Sequence, residues 1–287
     1  MPISFGQQLE AAFAKYGQLC VGIDPHAALL DEWGLSDDIE GLRSFANKVL
    51  DSCVGRVGII KPQVSFFERH GSAGFSVLEQ LAERAAQTDL VVIMDAKRGD
   101  IGSTMDGYFD AWLGKSAPFL CDALTVSPYL GFDSLKQVMA NSLERGKGLF
   151  VLAATSNPEG KSLQTATTVN GNTLAADIWR KLGKINSVTS AVGSELGSFG
   201  AVIGATLDLR SFSLMLDSDA GSSLTPILAP GFGAQGAELV DTKRLFGASA
   251  RQVIASVSRS VLSAGSAGLD RAVSSSAEQL RSALASV

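Results

Sequence analysis

The sequence predicts a single-domain (β/α)8 TIM barrel on three observations. Eight short apolar runs recur along 287 residues; nearly all of them end in a polar residue, a proline or a glycine; and amphipathic stretches fill the gaps between them. Apolar runs without polar alternation suit parallel strands buried on both faces. Strands alternating with helices over a chain of this length suit a closed barrel, which typically uses about 250 residues. An open doubly wound sheet is the competitor, but eight similar units without a break in composition favour closure over residues 1–287.

The strand candidates, in order, are 19–23, 57–60, 90–94, 123–126, 149–154, 201–205, 226–229 and 253–257. Between them, Leu42, Phe45, Ala46, Val49 and Leu50 form a stripe at helical spacing, as do Val77, Leu78, Leu81 and Ala85. Leu269, Val273, Leu280 and Leu284 predict a closing amphipathic helix. The stretch 157–168 is polar and contains Gly, Ser and Thr, is longer than a usual strand-to-helix connection, and reads as a candidate lid.

Composition narrows the function classes. With 46% apolar residues the chain can bury a full core, and a net charge of -5 without a basic stripe predicts no nucleic-acid partner. No apolar run reaches membrane-spanning length, and the N-terminus lacks the cationic and apolar regions of a signal peptide. Cys20, Cys53 and Cys121 are odd in number and scattered, as expected of free thiols in a reducing cytoplasm and not of a disulfide framework or a zinc site.

In a barrel the active site forms at the C-terminal ends of the strands. There the sequence places Asp24, Lys61, Asp95, Lys97, Ser127, Ser156 and Arg259. The segment 94–104 is the most charged of these ends: Asp95 and Lys97 share one side of a strand by alternation, and with Asp100 they can pair as a carboxylate–ammonium–carboxylate array. Flanking carboxylates favour the ammonium form of Lys97, making it a fixed cation and a proton donor; an ion pair with a purely structural role is the alternative. Gly231-Phe232-Gly233-Ala234-Gln235-Gly236 matches a dinucleotide fingerprint formally, but it follows the seventh strand and lacks the acidic residue such sites need. Its place suits a single phosphate instead, held by the loops after strands seven and eight, with Arg259 as a bidentate cation and the Ser258 and Arg259 amides as donors. His26 reads as a loop hydrogen-bonding residue, and neither histidine has a metal-ligand partner at useful spacing. A Mg²⁺ site from Asp24, Asp95 and Asp100 stays open on sequence grounds, although Lys61 and Lys97 would crowd it with positive charge.

With Asp95, Lys97 and Asp100 in DxKxxD spacing, followed by Ile101 and Thr104, the chain resembles the orotidine 5′-phosphate decarboxylase family. The likeness extends through Gly22-Ile23-Asp24-Pro25-His26, Ile60-Lys61-Pro62-Gln63, Thr155-Ser156-Asn157-Pro158, the Ala229-Pro230-Gly231 to Gly236 stretch and Ser258-Arg259, and its wording is that of a longer bacterial subgroup. The resemblance implies decarboxylation of orotidine 5′-phosphate without a cofactor or metal, in a homodimer with shared sites. Lys97 would protonate C6 as CO2 leaves; Asp95 and Asp100 would hold its ammonium, with Asp100, Ile101 and Thr104 crossing from the partner. Asp24 and Lys61 would bind ribose hydroxyls, Ser156 would read the pyrimidine edge, and Gln235 and Arg259 would grip the phosphate beside Pro230 and Ser258. The long stretch after Ser156 departs from compact family members. Two rivals remain: a Mg²⁺-dependent phosphosugar enzyme on the same barrel, and a nucleotide-binding barrel without catalysis.

Overall fold

Eight parallel strands pair in sequence order and the last closes on the first. They are β1 Leu19–Ile23, β2 Ile59–Pro62, β3 Val91–Arg98, β4 Ala123–Val126, β5 Gly148–Ala154, β6 Phe199–Ile203, β7 Ile227–Pro230 and β8 Val253–Val257. The computed structural model describes residues 2–216 and 224–285. Helices cover the outside as predicted. Ile39–Cys53 starts at Asp38, whose side chain accepts the Gly41 N–H, and buries Leu42, Phe45, Ala46, Val49 and Leu50. Gly71–Ala85 buries Val77, Leu78, Leu81 and Ala85, and the closing helix Gly265–Ala285 buries Leu269, Val273 and Leu280. Between β6 and β7 the described residues hold only a 3-10 turn, Leu209–Phe212. Among the described residues no helix is long and apolar enough to cross a membrane.

Five strands differ in their limits from the apolar runs: β5 and β7 by one residue, β2 and β6 by two, and β3 most, starting one residue later and running four further to Arg98. β2 begins at Ile59 and takes in Lys61 and Pro62, so Lys61 is a buried strand residue instead of the first residue of a loop. β6 begins at Phe199, because Leu149 of β5 already pairs with Phe199 and Phe150 with Gly200. Gly200 leaves room for the Phe150 ring: a Cβ there would lie 2.4 Å from Phe150 Cε1.

Inside the barrel, Cys20, Ile59, Val91, Ile93, Ala123, Phe150, Val202, Leu228 and Ile254 form one apolar plug. Helix Phe5–Tyr16 seals its N-terminal end by adding Phe5, Leu9 and Ala12. That helix starts with a capping box, in which Ser4 Oγ accepts the Gln7 N–H and Gln7 Oε1 accepts the Ser4 N–H. Toward the C-terminal end the inward-facing row turns polar, with Lys61, Thr125 and Ser256 all buried. The stretch 157–168 contains the 3-10 turn Pro158–Gly160 and the helical turn Lys161–Gln164. Gln164 ties it back to β5, accepting the Thr155 N–H at 2.9 Å and donating to Thr155 Oγ1 at 2.7 Å.

Candidate active site

β3 does not run straight to its end. Its ladder with β4 pairs Met94 with Leu124 and next Arg98 with Val126, so residues 95–97 bulge opposite Thr125 alone. Lys97 completes the bulge with φ +50°, one of two non-glycine residues with positive φ among those described. Such strain in an ordered strand end is held by its surroundings and tends to occur at functional sites. Gly99 then passes so close to β4 that a Cβ there would lie 2.5 Å from the Ser127 carbonyl oxygen.

The bulge brings Asp95 and Lys97 together by a route that simple alternation does not describe. Lys97 Nζ donates to Asp95 Oδ1 at 2.5 Å, and Lys61 Nζ donates to Asp95 Oδ2 at 2.9 Å. Thr125 Oγ1 also donates to Asp95 Oδ1, at 3.0 Å. The array within one chain is therefore ammonium–carboxylate–ammonium, Lys61–Asp95–Lys97, with Lys61 buried and Lys97 reaching toward solvent at 45% side-chain exposure. Asp100 takes no part in it: its carboxylate accepts the Ile101 N–H at 2.8 Å and, among the described residues, makes no ion pair.

Burial alone would raise the Asp95 pKa, yet the Lys61 and Lys97 charges outweigh it and hold the carboxyl well below the usual range. Burial likewise works against the Lys61 ammonium, but Asp95 and then Asp24 lift its pKa well above the usual lysine value. Both groups are thus charged at any physiological pH. Beneath them Cys20 stays a thiol, pushed up to about 12 by its burial.

Beside this array opens a cavity of about 460 Å³, lined by Asp24, His26, Lys61, Phe66, Pro230 and the Gly231–Gln235 loop, and by Ser256, Ser258 and Arg259. That size lies in the range of small-ligand pockets. Gly22 lets its walls approach: a Cβ there would lie 3.0 Å from Ser258 Cβ and 3.2 Å from Asp24 Oδ1. In the glycine-rich loop, Gly231, Gly233 and Gly236 have φ of +113°, +77° and +105°. The loop folds back on itself through Gly233 N–H to the Ala237 carbonyl at 2.7 Å and packs on Ser260, where a Gly233 Cβ would collide. Arg259 is the first residue of the short helix Arg259–Leu262. Ser156, at the end of β5, reaches across the mouth and donates to Gln235 Oε1 at 3.4 Å.

Three polar atoms of this lining are buried with no partner among the described residues: Asp24 Oδ1, His26 Nε2 and Ser258 Oγ. Buried polar atoms are normally paired, so three unpaired around one cavity mark where a polar ligand completes the structure.

The structure thus gathers Asp24, Lys61, Pro230, Gln235, Ser258 and Arg259 around one cavity, with Asp95, Lys97 and Ser156 at its edge. Ile101 and Thr104 lie outside it, exposed at the start of helix Gly102–Trp112. Ser127 faces a separate cavity of about 630 Å³, between the ends of β4 and β5 and helix Leu174–Thr189. Asp24, Asp95 and Asp100 do not converge as a metal cage: among the described residues no three His, Cys, Asp or Glu side chains do, and both Asp95 oxygens are engaged by lysines. Two site residues are not legible as such in the sequence. Thr125 sits inside an apolar run, and the His26 Nε2 that reads as a loop hydrogen-bonding group is unpartnered in the cavity wall.

A closed parallel barrel with two fixed ammonium groups at its mouth, beside a glycine- and arginine-lined cavity, defines a barrel enzyme for small phosphorylated substrates. Residues 17–269 match the model of the orotidine 5′-phosphate decarboxylase / HUMPS family, and the chain belongs to that family. It is 51% identical over 263 residues to the orotidine 5′-phosphate decarboxylase of Streptomyces coelicolor, covering 91% of this chain and 90% of that one. The same name is carried by a Nocardioides protein 47% identical over 263 residues, covering 91% of this chain and 92% of the relative. Among solved structures, a putative orotidine 5′-phosphate decarboxylase from Streptomyces avermitilis superposes with a TM-score of 0.92 at 48% identity, covering 99% of this chain and 97% of that one. These bacterial relatives agree with the subgroup the sequence motifs resemble.

Proposed function

We infer that the chain decarboxylates orotidine 5′-phosphate to uridine 5′-phosphate and CO2, the last step of de novo pyrimidine nucleotide synthesis. The observation that carries this reading is the Lys97 ammonium, fixed on Asp95 at 2.5 Å beside a cavity lined by Gln235 and Arg259. Loss of CO2 from C6 leaves a carbanion with no electron sink in the ring, so stabilisation has to be electrostatic. A fixed ammonium interacts more strongly with that developing charge than with the ground state, and it then donates the proton that C6 takes up. Asp95 holds the ammonium and stands where the departing carboxylate would feel its charge. Asp24 and Lys61 contact the ribose hydroxyls, Ser156 the pyrimidine edge, and Gln235, Arg259 and the glycine-rich loop the phosphate. Phosphate binding far from C6 positions the ring, so its energy serves turnover as well as affinity.

The site is completed by a second copy of the chain, whose Asp100 would approach Lys97 with Ile101 and Thr104 beside it. Asp100 makes no ion pair among the described residues, Ile101 is 60% exposed, and Tyr129 and Leu130, after the adjacent strand β4, are exposed as well. An apolar group so placed fits an interface in which both copies offer the same loops. A cytoplasmic location agrees with three buried free thiols. The direct test is turnover of orotidine 5′-monophosphate, followed as loss of its ultraviolet absorbance, before and after exhaustive chelation. Absorbance falling equally in both supports a metal-free decarboxylase; no loss with this substrate overturns the reading, and loss only with Mg²⁺ moves the chain to the phosphosugar branch.

A further inference from the structure

We propose that Thr125 is a positioning residue for the decarboxylation assigned above, fixing the ammonium of Lys97 through both the Asp95 carboxylate and the Lys97 backbone. The proposal rests on that functional reading. Thr125 lies in the middle of β4 and is 1% exposed. Its hydroxyl donates to Asp95 Oδ1 at 3.0 Å and accepts the Lys97 N–H at 2.9 Å. One hydroxyl can do both at once.

These two bonds act on the two ways Lys97 can move. Asp95 Oδ1 is the oxygen that holds Lys97 Nζ, while Oδ2 holds Lys61. The terminal torsion of an aspartate is broad, so charge alone does not fix the plane of its carboxylate. The Thr125 hydroxyl, donating from the buried wall, fixes which oxygen faces Lys97 and at what angle. The second bond acts on the backbone. Residues 95–97 bulge opposite Thr125, and Lys97 has φ +50°. The Lys97 N–H has no β4 carbonyl in register, and the threonine side chain supplies the acceptor that the ladder does not. An inert β-branched filler would satisfy packing in the strand but not either bond.

Thr125 is not among the residues lining the cavity of Asp24, Gln235 and Arg259, so binding and chemistry should respond differently to its loss. Thr125→Val keeps the shape and removes both bonds. With orotidine 5′-monophosphate as substrate, kcat is expected to fall by about 10- to 100-fold, the scale of a misplaced catalytic group. KM and inhibition by uridine 5′-monophosphate are expected to stay within about threefold, because their contacts are untouched. Thr125→Ser keeps both bonds and should recover kcat to within a few-fold of wild type. If Thr125→Val does not fold, Thr125→Cys, with a weak donor and weak acceptor in a similar volume, takes its place with an intermediate kcat loss expected. A Val or Cys variant with wild-type kcat overturns the proposal while leaving the functional reading intact. So does a parallel loss of kcat and substrate affinity that serine does not rescue, which marks a merely structural role. A wild-type protein inactive on orotidine 5′-monophosphate overturns the functional reading, and this proposal with it.

Discussion

The N-terminal end of the barrel is closed by fitted apolar groups, whereas the C-terminal mouth carries charge, backbone strain and unpaired polar atoms. At the closed end Phe5 meets Phe150 edge-on at 5.9 Å, and a Cβ at Gly148 would lie 2.2 Å from the Phe5 ring. Side chains there pair with the backbone, Glu10 Oε1 accepting the Leu196 N–H at 2.7 Å and Gln8 Nε2 donating to the Gly146 carbonyl at 2.8 Å, and Gln252 Oε1, just before β8, is the buried exception. At the mouth, Lys97 has positive φ, Lys61 is a buried charge, and Asp24, His26 and Ser258 each leave a buried polar atom without a partner. One sheet therefore divides its labour along its length. The closed end supplies the stability that lets the mouth stay poorly satisfied until a ligand arrives.

That division breaks most sharply under two substitutions. Lys97→Ala is expected to lower kcat for orotidine 5′-monophosphate by about 10³-fold or more, since both carbanion stabilisation and proton donation are lost. Its melting temperature should stay close to wild type, because Lys97 is half exposed and its loss leaves Asp95 paired with Lys61. Phe5→Ala is expected to do the reverse. Emptying this fully buried position should cost about 3–5 kcal/mol in denaturant unfolding, with turnover per folded molecule unchanged. A Lys97→Ala protein with near-normal turnover, or a Phe5→Ala protein with a selective kcat defect at full stability, would show that the two ends are not separate.

The closed parallel barrel is legible because buried parallel strands announce themselves as unbroken apolar runs, and because nearly all of those runs end in a polar residue, a proline or a glycine. Helix Phe5–Tyr16 was not among the expectations, although Ser4 and Gln7 stand at capping-box spacing before Phe5, Leu9 and Ala12. Lys61 follows the apolar run 57–60 in the sequence but lies inside β2, since strand limits follow the register with neighbours and not the run itself. The hidden part is the bulge. Nothing in Met94-Asp95-Ala96-Lys97-Arg98 says that three residues face one on β4, so the sequence could place Asp95 and Lys97 near each other but could not find Thr125. The expected Asp95–Lys97–Asp100 array is, within one chain, Lys61–Asp95–Lys97, with Asp100 outside it.

A second copy would make the mouth, unlike the closed end, a property of the dimer. Mixing an inactive Lys97→Ala chain with an inactive Asp100→Ala chain should then restore activity. In a mixed dimer one site carries both lesions and the other carries neither. With random pairing about half the dimers are mixed and one of their two sites is intact, so recovery should approach about a quarter of wild-type sites. Mixed dimers that form but stay inactive would place Asp100 in its own chain's site.

The smallest effect expected is in the dependence of stability on pH, and it separates the two ends by the shape of the curve. Asp95 has a folded pKa well below its unfolded value of about 3.9, because Lys61 and Lys97 outweigh its burial. The unfolded chain therefore binds the proton first as pH falls. The stability Asp95 contributes is complete above about pH 5 and is lost progressively as pH drops through its folded pKa. Lys61 runs the other way: its raised folded pKa gives stability that is complete below about pH 9 and is lost as pH climbs past the unfolded value. Lys61→Met removes one of the two cations on Asp95, so the Asp95 pKa rises toward its unfolded value and the loss of stability between about pH 5 and pH 2 becomes smaller. The alkaline loss assigned to Lys61 disappears with the side chain. Phe5→Ala changes no charge and should lower the whole curve without altering its shape, the exposed carboxylates contributing equally in every protein compared. Denaturant unfolding across pH reads both curves. An acid limb that is identical in wild type and Lys61→Met would mean that Asp95 does not draw its low pKa from Lys61, and that the array at the mouth is not coupled as its distances imply.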